Sequence, residues 1–311
     1  MTHTQCGFVA LLGAPNAGKS TLINALVGAK TAAVSRKAQT TRSAIRGIVM
    51  ESRTQIIFVD TPGLFAPARR LDRAMVSAAW SAAADADVVA LLIDAKAELR
   101  AGKQAGAAAS PSEATQSILD ALRAVKKRKI LILNKIDAVA RPDLLALAAM
   151  LNGAGAFDDT FMISALKSDG LEALRAKLAT MLPDGPWLYP EDQIADAPMR
   201  TLAAEITREK LIERLHDELP YQTTVETDSW KDLPDGSARI EQTIYVSRDS
   251  HKMIVLGEGG RTIKAIGTAA RKEISAANDA PVHLFLFVKV RADWLDDPER
   301  YRAMGLEFPK V

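Results

Sequence analysis

The sequence predicts a doubly wound α/β domain followed by a second, smaller α+β domain. Three observations point there. Residues 1–180 alternate short apolar runs with helical stretches, residues 181–198 concentrate Pro183, Pro186, Pro190 and Pro198 beside Gly185, and residues 199–311 follow a different order, α-β-β-α-α-β. Strands buried on both faces of a parallel sheet read as continuous apolar runs. Proline removes a backbone donor and blocks both helix and central strand, so residues 181–198 read as a linker. At about 100–200 residues per domain, 311 residues suit two.

In chain order, strands are expected at 8–12, 56–60, 88–94, 130–134 and 160–163. The Ala-rich tract 74–93 is broken by Asp85 and Asp87, which suits a buried helix followed by a strand better than a membrane span. Residues 95–115 are rich in Ala, Gly and Ser without apolar periodicity and are expected to form an exposed loop. Beyond the linker, Leu202, Ile206, Ile212, Leu215 and Leu219 mark a helix, and alternating runs at 221–228 and 239–247 mark two strands. Helices at 250–256 and 261–277 flank a Gly-rich turn, and the alternation of Val282, Leu284, Leu286, Val288 and Val290 closes the domain with a core strand at 282–291. Phe285 and Phe287 between them are second-choice platforms for stacking bases.

Composition narrows the functional classes. A single cysteine, Cys6, excludes a disulfide scaffold or a Cys-rich zinc module and suits a reducing compartment. The N-terminus has no basic region before its short apolar run, so export is not expected and the cytoplasm is the predicted location. With 40 basic and 38 acidic residues the net charge of +2 creates no global field for a nucleic acid or an acidic membrane. A partner of that kind must meet a local patch.

Residues Gly13, Ala14, Pro15, Asn16, Ala17, Gly18, Lys19 and Ser20 fit the G-x-x-x-x-G-K-[ST] phosphate loop between a predicted strand and a predicted helix. Its glycines let backbone N–H groups wrap a β-phosphate, Lys19 bridges β- and γ-phosphate charge, and the Ser20 hydroxyl is a hard ligand for Mg²⁺, with Thr21 beside it. Asp60-Thr61-Pro62-Gly63 ends the strand at 56–60, where Asp60 would hold Mg²⁺ and the Gly63 N–H would meet the γ-phosphate. In Asn134-Lys135-Ile136-Asp137 a carboxylate accepts from guanine N1–H and the 2-amino group, donors that adenine lacks. Lys135 would lie across the sugar and the phosphate loop, Asn134 would tie the loops together, and Ser164-Ala165 would offer a backbone N–H to guanine O6. GTP and GDP are therefore the expected ligands.

This ordered set resembles the TRAFAC-class GTPases related to translation factors, and Lys37-Ala38-Gln39-Thr40-Thr41-Arg42 resembles the first switch of the Era family. The resemblance implies that Thr40 or Thr41 closes over Mg²⁺ in the triphosphate state, and both stand as candidates for catalysis together with Lys19 and Gly63. Leu64 occupies the position where Ras-like enzymes keep a water-orienting glutamine, so slow intrinsic hydrolysis is expected. Asn16 matches the phosphate-loop asparagine of potassium-activated relatives, which implies K⁺ as a source of transition-state charge.

Residues 254–261 place the G-x-x-G turn Gly257-Glu258-Gly259-Gly260 between two helices, with Arg261 after it, and this resembles a type II KH RNA-binding domain. The 17 basic and 19 acidic residues of 199–311 leave that domain at −2, yet within 248–272 Arg248, Lys252, Arg261, Lys264, Arg271 and Lys272 oppose only Asp249 and Glu258. Glu258 departs from the basic residues common inside this turn. Trp294-Leu295-Asp296-Asp297 also resembles the end of Era proteins. The resemblance implies a monomeric GTP hydrolase that binds the 3′ end of small-subunit (16S) ribosomal RNA and assists small ribosomal subunit assembly, with peripheral contact at the cytoplasmic face of the inner membrane. The alternative is a signalling GTPase whose C-terminal domain docks a protein or membrane surface.

Overall fold

A computed structural model describes residues 4–34, 45–104, 110–196, 198–215, 219–292 and 294–309. The chain forms two units, residues 1–31 with 41–196, and residues 32–40 with 197–311. The first contains β1 (Gln5–Leu12), α1 (Lys19–Val27), β2 (Ile45–Glu51), β3 (Thr54–Asp60), α2 (Arg70–Asp85), β4 (Val88–Asp94), α3 (Ala95–Gln104), α4 (Glu113–Leu122), β5 (Arg128–Asn134), α5 (Arg141–Ala154), β6 (Asp159–Met162) and α6 (Leu171–Met181).

Its six strands run in the order β2-β3-β1-β4-β5-β6. Alternation along the central strands divides two cores. Val88, Ala90 and Leu92 of β4 pack under α1 and α6 with Leu22, Ile23, Leu174 and Leu178, whereas Val89, Leu91 and Ile93 face α2, α4 and α5 through Ala79, Leu119 and Leu147. The sheet is parallel except at one edge, where β2 pairs antiparallel with β3. The sequence reading did not include β2, because Arg46 and Gly47 interrupt its apolar residues.

The expected loop at 95–115 is corrected by the structure: Ala95–Gln104 is helical, and Glu113 already belongs to α4. Alanine is the strongest helix former, and the helix hides its inner face behind a polar residue, which the apolar pattern missed. Buried Glu98 accepts hydrogen bonds from Ser112 N (2.6 Å), Ser112 Oγ (2.9 Å) and Thr115 Oγ1 (2.6 Å), fastening α3 to the start of α4. The proline-rich segment lies along the first unit. Leu188 and Tyr189 donate their N–H groups to Gln55 Oε1, Ile48 N donates to Ile194 O, and Asp196 N donates to Arg46 O.

The second unit contains α7 (Met199–Arg214), β7 (Thr223–Asp232), β8 (Ala238–Val246), α8 (Asp249–Leu256), α9 (Arg261–Ala277), β9 (Val282–Val290) and α10 (Pro298–Ala303). Its sheet has the order β7-β8-β9, with β8 antiparallel to β7 and parallel to β9. Helices α7, α8 and α9 cover one face, burying Ile206, Ile212, Val255, Ile266 and Ile274, with Ile263 packed against them. The α-β-β-α-α-β order is as expected, except that α7 stops at Arg214 and Leu215 is extended. Ala32 and Ala33 are buried, and Val34 N donates to Glu209 Oε2 of α7 at 2.7 Å.

Candidate functional site

The carboxyl ends of β1, β3, β4, β5 and β6 converge, and their following loops supply the site, as open parallel sheets arrange their ligand clefts. Gly13 has φ +148°, and a Cβ there would lie 2.3 Å from Leu92 O. Gly18 has φ +103°, and a Cβ there would lie 2.3 Å from Asn134 Nδ2. Gly18 caps α1 without a side-chain hydrogen bond, an N-terminus of the kind that receives anions.

Lys19 is buried and donates to Gly13 O (3.0 Å) and Ala14 O (3.1 Å), which folds the ammonium over the loop. Burial lowers its pKa to about 8, against a smaller opposing pull from the Asp60 carboxylate. Next to it Ser20 Oγ donates to Asp60 Oδ2 at 2.7 Å, and Thr21 is half-buried on α1. Thr61 Oγ1 donates to Leu11 O at 2.6 Å, and Leu64 N donates to Gly13 O at 3.0 Å, so the loop after β3 hangs on the phosphate loop. A Cβ on Gly63 would sit 2.8 Å from Pro15 N and Cα, so only glycine fits this approach. Leu64 is buried in the core with Leu12, Ala79 and Leu91, pointing no polar group at the cleft.

Asn134 ties the loops together as expected: its Nδ2 donates to Ala17 O at 2.9 Å, and its Oδ1 accepts from Ala165 N at 3.0 Å. That second bond engages the N–H expected to face guanine O6, a use the sequence reading did not foresee. Lys135 Nζ donates to Asn16 O (2.8 Å) and Asp94 Oδ2 (2.5 Å), linking the exposed Asn16 backbone to the β4 and β5 loops. Asp94 was missed because nothing in the sequence pairs it with Lys135; only strand register sets it opposite Asn134. Asp137 is exposed, and the buried Ser164 hydroxyl donates to its Oδ1 at 2.6 Å, holding this carboxyl below the usual range. The candidates Thr40 and Thr41, with Lys37 to Arg42, lie outside the described residues.

In the second unit Gly257 ends α8 with φ +71°, and a Cβ there would lie 2.2 Å from Thr262 Oγ1 and 2.9 Å from Thr262 N. Gly259 and Gly260 also have positive φ (58° and 76°) but open space around them, leaving backbone approachable from outside. Glu258 pairs with Arg261, and both side chains are exposed. Lys264, Arg271 and Lys272 project from the outer face of α9 into a groove of about 860 Å³, while Lys252 is half-buried on α8.

Comparison with known proteins agrees with both halves. The family model for 50S ribosome-binding GTPases matches residues 8–135, and the KH domain model matches residues 218–295. The chain is 62% identical to GTPase Era of Afipia carboxidovorans over 99% of this chain and 96% of that relative. The protein belongs to the Era GTPase family. GTPase Era of Rhizobium meliloti is 60% identical over 99% of this chain and 94% of its own, and that of Brucella melitensis 57% over 99% and 95%. Among solved structures, Era in complex with MgGDPNP and nucleotides 1506–1542 of 16S ribosomal RNA matches with TM-score 0.87 at 35% identity, covering 97% of this chain and 99% of that one. A variant of Aquifex aeolicus Era bound to GDP·AlF4⁻ matches with TM-score 0.84 at 34% identity, with 97% and 99% covered. As an Era protein the chain is a GTPase with a P-loop α/β domain and a KH domain.

Proposed function

We propose that this chain is a GTP-driven switch that binds the 3′ end of small-subunit ribosomal RNA and assists small-subunit assembly. The observation that supports it most is Asn134, whose two hydrogen bonds hold the phosphate loop and the base-reading loop in one frame. Within that frame Gly13, Gly18 and the start of α1 receive the β-phosphate, and Lys19 leaves its carbonyls for β- and γ-phosphate oxygens. Asp137, already ionised and oriented by Ser164, accepts from guanine, and Lys135 lies along the sugar.

Among the described residues no three His, Cys, Asp or Glu cluster as a self-sufficient metal site. The Ser20–Asp60 pair instead fits Mg²⁺, which keeps several waters and takes phosphate oxygens as ligands. Ser20, Asp60 and one of Thr40 or Thr41 would hold it, and it would neutralise charge developing on the phosphates. Gly63 N–H aimed at the γ-phosphate makes the following loop sensitive to hydrolysis. With Leu64 buried, no side chain at that position orients the attacking water, and intrinsic turnover is slow. K⁺ held at Asn16 then supplies transition-state charge. Phosphate release from GTP and ATP in KCl and NaCl at matched ionic strength tests this: release confined to GTP and faster in KCl supports it, and equal rates in the two salts remove the potassium role.

For RNA, the backbone at Gly257 to Gly260 accepts about four unpaired nucleotides, with Lys252, Glu258-paired Arg261 and Lys264 setting the local charge. The protein belongs in the cytoplasm as a monomer with peripheral inner-membrane contact. Among the described residues no helix is long and apolar enough to cross a membrane. Fractionation and sedimentation of the full chain check this placement.

A further inference from the structure

The face of the β7-β8-β9 sheet away from α7, α8 and α9 carries side chains that the turn does not use. On β9 the outward positions His283, Phe285, Phe287 and Lys289 are all exposed, with Phe285 at 44% and Phe287 at 49%, while Leu284, Leu286 and Val288 face the helices. Strand periodicity sets the two rings on one side about 6.6 Å apart. Arg239 of the neighbouring strand places its guanidinium 4.8 Å from the Phe285 ring centre. One end of this face is closed: Arg300 of α10 lies over the Tyr245 ring at 4.1 Å and pairs with Glu226. The two phenylalanines stay open to solvent on an edge strand.

The chemistry of the patch favours unpaired RNA. Arg239, which lies over one face of the Phe285 ring and pairs with Glu241 at 2.8 Å, and Lys289 border the rings, and bases stack on the open aromatic faces without regard to sequence. The outward residues of β8 are Arg239, Glu241, Thr243 and Tyr245, which add no exposed aliphatic surface of the kind a protein interface core uses. The patch also adjoins the groove along α9: Arg261, just after the turn, Lys264, Arg271 and Lys272 line it together with His283, the residue that opens the outward row of β9. We propose that Phe285 and Phe287 form a second stacking platform, on the sheet face opposite the helices, for unpaired nucleotides flanking those held at the Gly257–Gly260 turn.

The proposal rests on the RNA-binding reading above and deepens it. Its test is fluorescence anisotropy on the full chain with two labelled oligonucleotides from the ribosomal 3′ end, one of about 5 nucleotides that spans only the turn and one of about 12. Phe285→Ala and Phe287→Ala should each weaken the longer RNA about tenfold and leave the shorter one unchanged. Phe285→Leu keeps the apolar bulk and should show the same loss, and Phe287→Trp should retain affinity with indole fluorescence quenched by the longer RNA alone. Equal affinity of wild type and variants for the longer RNA overturns the platform, as does equal loss on both lengths. Unchanged RNA affinity with lost sedimentation on small subunits assigns the patch to a protein and also overturns it. If wild type binds neither RNA, the RNA-binding reading itself fails, a result distinct from all of these.

Discussion

Binding of a nucleotide should draw a proton into the phosphate loop, and Lys19 is the reason. In the nucleotide-free fold its ammonium is buried against the Gly13 and Ala14 carbonyls, and its pKa stands at about 8 in place of 10.5. That depression corresponds to about 3 kcal/mol of unfavourable burial of the charged form. Because the unfolded chain holds more protons between pH 8 and 10.5, this lysine makes the empty fold more stable as pH rises through that window. Phosphates reverse the sign: their negative charge favours the ammonium and raises its pKa again. Near pH 8 a substantial fraction of the empty protein carries a neutral Lys19, so nucleotide binding should take up a fraction of a proton there, less at pH 7 and more at pH 9. The γ-phosphate, with its second pKa near ~6, is already ionised at pH 8 and adds nothing. Titration calorimetry of GTP in two buffers of different ionisation enthalpy reads the uptake directly. Absence of uptake at pH 8 refutes the reasoning, and so does uptake that survives in Lys19→Met.

Three further substitutions have definite outcomes. Asp137→Asn removes the acceptor for guanine N1–H and the 2-amino group and should weaken GTP at least 100-fold while raising relative affinity for xanthosine triphosphate, read by nucleotide competition. Gly257→Ala meets Thr262 at 2.2–2.9 Å and should lower RNA affinity and the melting temperature, whereas Gly260→Ala meets open space and should lose only about 1 kcal/mol of stability for its positive φ. Glu98→Ala strands the donors of half-buried Ser112 and buried Thr115 and should destabilise the first unit by roughly 1–3 kcal/mol in urea unfolding, with GTP specificity unchanged.

The two domain types and the loop motifs were legible because each rests on local chemistry. Continuous apolar runs mark β1, β4 and β5, and the phosphate loop declares itself by its spacing. What escaped was fixed by partners distant in sequence. The strand β2 is set by pairing with β3, Asp94 meets Lys135 through parallel register, and α3 buries a glutamate that only Ser112 and Thr115 make acceptable. Ala165 was read as a donor to guanine, and the structure gives its N–H to Asn134, a bond across 31 positions that no local pattern encodes.

The linkage between nucleotide state and RNA binding is tested most directly by anisotropy of a labelled small-subunit rRNA 3′-end oligonucleotide, titrated at one stated salt concentration with the protein bound to a non-hydrolysable GTP analogue and then to GDP. The account predicts tighter binding in the analogue state and loss of binding in both states for Gly257→Asp with Gly260→Asp. Equal affinity in the two nucleotide states would contradict it.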